Sequence, residues 1–115
     1  FGIRERRQEA FSSFQAYSKA LQSENYALAY KLSSKEFREA TTLDTFADGQ
    51  KQLVERFGKI NKIRIDGYSV RTENSLNNWS ATFTTTLIFE RGETGFVFEM
   101  HRDRDTWKMF GLKQL

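Results

Sequence analysis

Residues 79–101 read WSATFTTTLIFERGETGFVFEMH. In an extended chain successive side chains point to opposite faces, so Trp79, Ala81, Phe83, Thr85, Leu87 and Phe89 share one side of a long strand. Ser80, Thr82, Thr84 and Thr86 share the other. The β-branched Thr run suits a strand because its χ1 is already restricted. Arg91-Gly92-Glu93 then reads as a hairpin turn. From Gly95 the alternation resumes, with Phe96, Phe98 and Met100 opposite Val97, Glu99 and His101. Two period-two runs joined by a short turn predict an antiparallel pair with one apolar face and one polar face.

The pattern continues on both sides of this pair. Downstream, Asp103-Arg104-Asp105 turns the chain into a last strand over residues 106–113, carrying Trp107, Met109, Phe110 and Leu112. Upstream, Ser75-Leu76-Asn77-Asn78 is a turn cluster. Before it, Ile63 and Ile65 alternate with Arg64 and Asp66, and Tyr68 and Val70 follow. The phase changes at Asp66-Gly67, which predicts a bulge there. Four consecutive strands with short turns make a meander.

Ahead of Gly58 the apolar period is that of a helix. Over residues 4–22 the stripe is Ala10, Phe11, Phe14, Tyr17, Ser18 and Leu21, at spacings of three and four. Ser23 is placed to cap a short second helix with Tyr26, Ala27, Leu28, Ala29, Tyr30 and Leu32. Ser33 and Glu36 have capping-box spacing, with Phe37 as the anchor of one further turn. Thr42 caps a helix to residue 57 with Leu43, Phe46, Ala47, Gln50, Leu53, Val54 and Phe57 on its stripe, and Gly58 supplies the left-handed stop. Helices first and strands after them give an α+β fold, with helices covering the apolar face of a four-stranded antiparallel sheet.

Length and composition limit the chemistry. At 115 residues, 1–115 is one domain, and 11 Phe supply its core. With no Cys and one His, thiolate chemistry is excluded and a protein metal site would fall to carboxylates. The net charge of +3 is spread among interleaved acids and bases, as in Arg102-Asp103-Arg104-Asp105, and this argues against a nucleic-acid stripe. Residues 1–7, Phe1-Gly2-Ile3-Arg4-Glu5-Arg6-Arg7, read either as the first turn of the helix or as the tail of a removed targeting or anchoring segment. Neither a Walker A loop nor a G-x-S-x-G or H-E-x-x-H motif is present.

The layout resembles the NTF2-like, cystatin-like cone superfamily. The resemblance is carried by Glu24-Asn25-Tyr26, Tyr30-Lys31-Leu32-Ser33-Ser34, Phe37, Phe57-Gly58 and Trp107-Lys108, and spans residues 8–112. These are packing motifs, shared widely. Among members, the chain is most similar to small bacterial extracytoplasmic domains, some of them lipoprotein-like, and to the NTF2-like domain at the N-terminus of some penicillin-binding transpeptidases. One departure is Asp103-Arg104-Asp105, where Asp-Gly is common. The resemblance implies a strongly curved sheet closing a cone around helices, no cofactor, and a non-catalytic accessory role in which the pocket or the polar sheet face holds a protein, a peptide or a small apolar ligand. A homodimer through the polar sheet face, an extracytoplasmic location and an anchor through a removed N-terminal segment are further implications.

The ligand-binding candidates are aromatic: Phe14, Tyr17, Tyr30, Phe46, Phe83, Phe98 and Trp107. Each is also a packing residue by its period, and the same residues can simply fill the cone. The enzymatic alternative is an isomerase or dehydratase type. It needs Asp66 or His101 as a base inside the cone with Tyr17 or Tyr30 as donor, since a buried base and an oxyanion donor must converge. By alternation both Asp66 and His101 are expected on the outer side.

Overall fold

The computed structural model describes residues 2–72 and 78–115. Four helices come first: α1 (Ile3–Gln22), α2 (Tyr26–Lys31), α3 (Lys35–Ala40) and α4 (Leu43–Phe57). Four strands follow: β1 (Ile60–Thr72), β2 (Trp79–Phe89), β3 (Gly92–Asp103) and β4 (Thr106–Gln114). The sheet is antiparallel throughout, in the order β1-β2-β3-β4. The α+β reading and the meander therefore hold. Of the turn expected at Ser75 to Asn78, positions 75–77 lie outside the described residues.

The core lies between α1 and the inner face of the sheet. Ala10, Phe14, Tyr17 and Leu21 of α1 are buried, as the helical stripe predicted. Facing them, Ala81, Phe83, Thr85, Leu87 and Phe89 are buried along β2, and Phe96, Phe98 and Met100 along β3. The hydroxyl of Thr85, the polar member of this face, donates to the Phe96 carbonyl at 3.0 Å. Most buried hydroxyls have such a partner.

Several local expectations are corrected by where backbone groups find partners. Ser23 does not cap α2. It ends α1, and its hydroxyl donates to the Lys19 carbonyl. The Glu24 and Asn25 N–H groups fold back onto the Leu21 and Ala20 carbonyls, a Schellman closure. Asn25 then caps α2, its Oδ1 accepting from the Leu28 N–H at 3.2 Å. The closure holds Glu24 at φ +59°. The left-handed region costs a β-carbon residue roughly 1–2 kcal/mol relative to glycine, part of which glycine's greater unfolded freedom returns. Glu24→Gly is therefore expected to raise the unfolding free energy by about 0.5–1 kcal/mol. A urea midpoint that stays put or falls would show that Glu24 offsets this cost elsewhere.

Ser33 is likewise not a cap. Its hydroxyl donates to the Ala29 carbonyl, and Ser34 is the residue that accepts from the Phe37 N–H. Ser33 instead forms a parallel bridge to Met109. The Ser34 N–H donates to the Met109 carbonyl at 2.7 Å, and the Met109 N–H to the Leu32 carbonyl at 3.0 Å. This short graft covers part of the β4 edge, which would otherwise expose unpaired backbone.

The β2–β3 turn is one residue earlier than expected. Phe89 pairs with Gly92, so Glu90 and Arg91 form the turn and β3 starts at Gly92, three residues ahead of the predicted Gly95. The turn docks on the end of α4, where the Arg91 N–H donates to the Phe57 carbonyl and the Glu90 N–H to the Lys59 carbonyl. Gly58, at φ +86°, makes this approach possible: a β-carbon there would lie 2.6 Å from Glu90 Oε1. Gly92 leaves room for the Phe57 ring in the same way.

Besides a register shift between Ile60 and Lys62 at the start of β1, two bulges change the phase of the sheet. The first lies between Ile65 and Gly67, as the sequence predicted, and sets Asp66 outside the ladder. The second was not anticipated. Glu99 pairs with Gly111 and Met100 with Met109, leaving Phe110 unopposed. Trp107 and Met109 face the core, so alternation sets Phe110 on the outer face, where it is 37% exposed, and the bulge brings Leu112 back to the core side.

Candidate functional site

The seven aromatic candidates are ordered by their contacts with one another. Phe14 stacks on Phe83 with ring centroids 4.4 Å apart and meets Phe98 at 5.2 Å. Tyr17 meets Phe98 edge-on at 6.0 Å. Phe46 anchors a second cluster against Tyr26, Tyr30 and Phe37. The hydroxyl of Tyr30 reaches the Thr41 carbonyl at 2.7 Å and the Arg38 carbonyl at 3.0 Å, so it ties down the end of α3. Trp107 is buried, and its indole N–H donates to Glu9 Oε1 at 3.1 Å. The clefts among the described residues include four with volumes of 370–570 Å³, and Phe14, Tyr17, Tyr30, Phe46, Phe83 and Phe98 line none of these four. Trp107 alone of the seven borders one, beside Glu9, Ser12 and Thr106.

Tyr17, the first candidate donor, lies in the core. It is fully buried, and its hydroxyl has no hydrogen-bond partner among the described residues. Burial pushes its phenol well above the ordinary range, so it stays protonated. No carboxylate or imidazole named as a base lies beside it in the core.

The two candidate bases face outward. Asp66 Oδ2 accepts from the Thr86 hydroxyl at 2.6 Å, and Oδ1 from Arg64 Nε at 2.7 Å. The Thr86 hydrogen bond, then the Arg64 hydrogen bond and charge, hold the Asp66 carboxyl below the usual carboxylate range. A proton-abstracting base needs the opposite shift. His101 lies on the outer face of β3, its Nε2 2.6 Å from Glu99 Oε2. Its ring stacks on Phe110 with centroids 3.8 Å apart and planes 13° from parallel.

That stacked pair belongs to the most structured of the clefts, a cavity of 370 Å³ at the outer face where the ends of β2, β3 and β4 meet the start of α3. Lys35 and Glu36 come from α3, Trp79 and Ser80 from β2, His101, Arg102 and Asp103 from β3, and Lys108 and Phe110 from β4. The register explains the grouping. Ser80 is paired with His101, and His101 with Lys108, so one row crosses three strands on one face. The sequence reading named His101 and Ser80 on this face but not Lys35, Lys108 or Phe110. The signal for Phe110 was present: Met109 and Phe110 are adjacent apolar residues in an otherwise alternating strand, followed by Gly111.

Among the described residues no cluster of three His, Asp or Glu could hold a metal ion. Among the same residues, no helix is long and apolar enough to cross a membrane. No protein-family model matches the chain, and no match is found among curated proteins.

Proposed function

We propose that this is a non-catalytic accessory binding module of NTF2-like, cone-type architecture, belonging to an extracytoplasmic bacterial protein and working through its outer sheet face. The observation that carries this reading is the division of labour between the two faces of the sheet. The inner face is filled by stacked rings, while the outer face carries Thr82, Thr84 and Thr86 together with the cleft around Ser80 and His101. Helices followed by a four-stranded antiparallel meander support the α+β layout of this reading; the sheet itself is not strongly curled, unlike the cone that the resemblance implies. An isomerase-type enzyme would need Asp66 or His101 inside it, and both stand outside, engaged by Thr86, Arg64 and Glu99. The extracytoplasmic location, and an anchor preceding residues 1–7, rest on the family resemblance alone.

Such a face suits a second copy of the chain. Thr hydroxyls are neutral and short, so two faces can approach without burying unpaired charge. The expected result is concentration-dependent dimerisation in sedimentation equilibrium, lost in Thr84→Lys, which places an ammonium at the centre of the face. A wild-type chain that stays monomeric at millimolar concentration would remove the homodimer. Nile red, a neutral apolar dye, should leave the NMR signals of Phe14, Tyr17, Phe83 and Phe98 in place. Saturable shifts there would instead mean an open interior and would overturn the outer-face reading.

A further inference from the structure

We infer that the Asp66-Gly67 bond is a latent site of covalent rearrangement to isoaspartate, held shut by Arg64 and Thr86, a chemistry independent of the outer-face reading.

The rearrangement needs only the chain and water. The Gly67 backbone nitrogen attacks Cγ of the Asp66 side chain. The N–Cγ bond forms, the Cγ–OH bond breaks, and the amide proton leaves with that hydroxyl as one water. The product is a five-membered succinimide. Hydrolysis returns one water to either of its carbonyls. Addition at Cγ restores aspartate. Addition at the backbone carbonyl carbon leaves the chain running through Cγ, with the free carboxylate on Cα. The final mass is unchanged, and nothing is oxidised or reduced.

The reaction has three requirements, and the structure meets two of them. The attacking nitrogen must be open. Gly67 carries no β-carbon, and one built there would meet no atom within 4 Å. The peptide must also be able to turn. The bulge sets Asp66 outside the β1–β2 ladder, which resumes with Gly67 opposite Thr84, so Asp66 lacks the cross-strand partner that holds its neighbours extended. Asp66 is exposed as well.

The third requirement is a neutral carboxyl with an oxygen free to leave, and here the fold opposes the reaction. Both oxygens are held. Oδ2 accepts from the Thr86 hydroxyl at 2.6 Å, and Oδ1 from Arg64 Nε at 2.7 Å. A second guanidinium nitrogen of Arg64 donates to the Thr86 hydroxyl oxygen at 3.1 Å, which closes the three side chains into a ring. Whichever oxygen leaves as water must first give up one of these bonds. The same bonds favour the ionised carboxyl, and so deplete the neutral form that reacts. An exposed Arg–Asp pair adds little to stability, so its consequence here is chemical. Rearrangement would insert one more backbone atom into β1 just before Tyr68 pairs with Phe83.

The test incubates the whole native chain in ¹⁸O-enriched water at physiological pH and temperature. Each passage through the succinimide leaves one heavy oxygen on residue 66. Tryptic digestion in ordinary water then releases residues 65–71, in which Asp66 is the only acidic side chain. Mass spectrometry counts the ring closures, and chromatography separates isoaspartate from aspartate. The reference is the same chain unfolded in concentrated guanidinium chloride. The native chain should take up label at least about tenfold more slowly than the unfolded one, the rate equivalent of about one pKa unit. Folded Thr86→Val and Arg64→Gln should each react roughly three- to tenfold faster than the native wild type, the loss expected for one hydrogen bond. Thr86→Ser keeps the hydroxyl and should stay slow. Unfolded, all of these chains should react alike, which separates the clamp from any effect of sequence. Urea midpoints verify the fold of each variant, and if one of the two fails to fold the other decides. Equal rates in the native and unfolded wild type would overturn the inference. So would folded Thr86→Val or Arg64→Gln reacting no faster than the native wild type.

Discussion

Phe83→Ala is expected to destabilise the chain by about 3–5 kcal/mol, and Thr84→Ala, one residue away, by no more than about 0.5 kcal/mol. Phe83 is fully buried at the middle of β2. Its ring stacks on Phe14 at 4.4 Å with planes 9° apart, and meets Phe11 edge-on at 5.3 Å. Across the sheet it faces Tyr68 on one side and Phe98 on the other. Truncation removes the apolar transfer energy of the ring and leaves a cavity between a helix and a sheet, neither of which can close on the other without shifting the remaining rings. Thr84 points to the opposite face and is exposed. For a domain whose total stability is of the order of 5–15 kcal/mol, the first variant approaches the unfolding threshold and the second should be silent. Urea titrations of both, with a common m-value, measure the contrast. Phe83→Leu separates cavity from ring: it keeps most of the volume and should cost roughly 1–2 kcal/mol. A double-mutant cycle with Phe14→Leu should then return a coupling of about 0.5–1.5 kcal/mol for the stacked pair. If Phe83→Ala and Thr84→Ala cost the same, the assignment of faces is wrong.

That contrast was legible from alternation alone, as were the α1 stripe, the Thr42 cap, the Gly58 stop and the bulge at Asp66. All are set within a few residues of chain, where period and backbone conformation decide. The misreadings share a different cause. Ser23, Glu24 and Asn25 offer several cap geometries in a row, and the choice falls to Asn25 because the Ala20 and Leu21 carbonyls draw the chain into a Schellman closure. Ser33 loses its capping role because Ser34 and Leu32 are recruited by Met109, some seventy positions away. Leu112 returns to the core side because Glu99 pairs with Gly111, a register that no local period specifies. The cleft depends on these same long-range choices. The bridge at Ser33 sets the start of α3 beside β4, where Phe110 stands on the outer face. Its residues, from Ser34 to Phe110, have no common motif and meet only through register.

Glu9→Ala is expected to cost about 2–3 kcal/mol, far more than a surface carboxylate should, because three donors converge on its side chain. Oε1 accepts from Arg102 Nε at 3.0 Å and from the Trp107 indole at 3.1 Å, and Oε2 accepts from Arg6 at 3.1 Å. These bonds tie the first half of α1 to the ends of β3 and β4. The side chain of Arg102 is only 10% exposed, so deleting the carboxylate leaves a largely buried guanidinium without its ion-pair partner and the Trp107 indole without its acceptor. Glu9→Gln separates the two parts of the loss. It can still accept from Trp107 but offers Arg102 no charge, so it should recover part of the stability and not all of it. The pH dependence follows from the sign of the shift. Burial pushes the Glu9 carboxyl up, but the Trp107 and Arg102 hydrogen bonds and the charges of Arg102 and Arg6 outweigh it, and the carboxyl ends below its ordinary value of 4.5. A carboxyl lowered by folding stabilises fully above the unfolded value and loses that contribution as the pH falls through the folded one. The gap between wild type and Glu9→Gln should therefore be constant at neutral pH and begin to close below about pH 4.5. Equilibrium unfolding of both proteins at neutral pH and at successively lower pH measures this. A gap that is absent at neutral pH, or that widens on acidification, would show that the Glu9 carboxylate is not what holds α1 to the sheet.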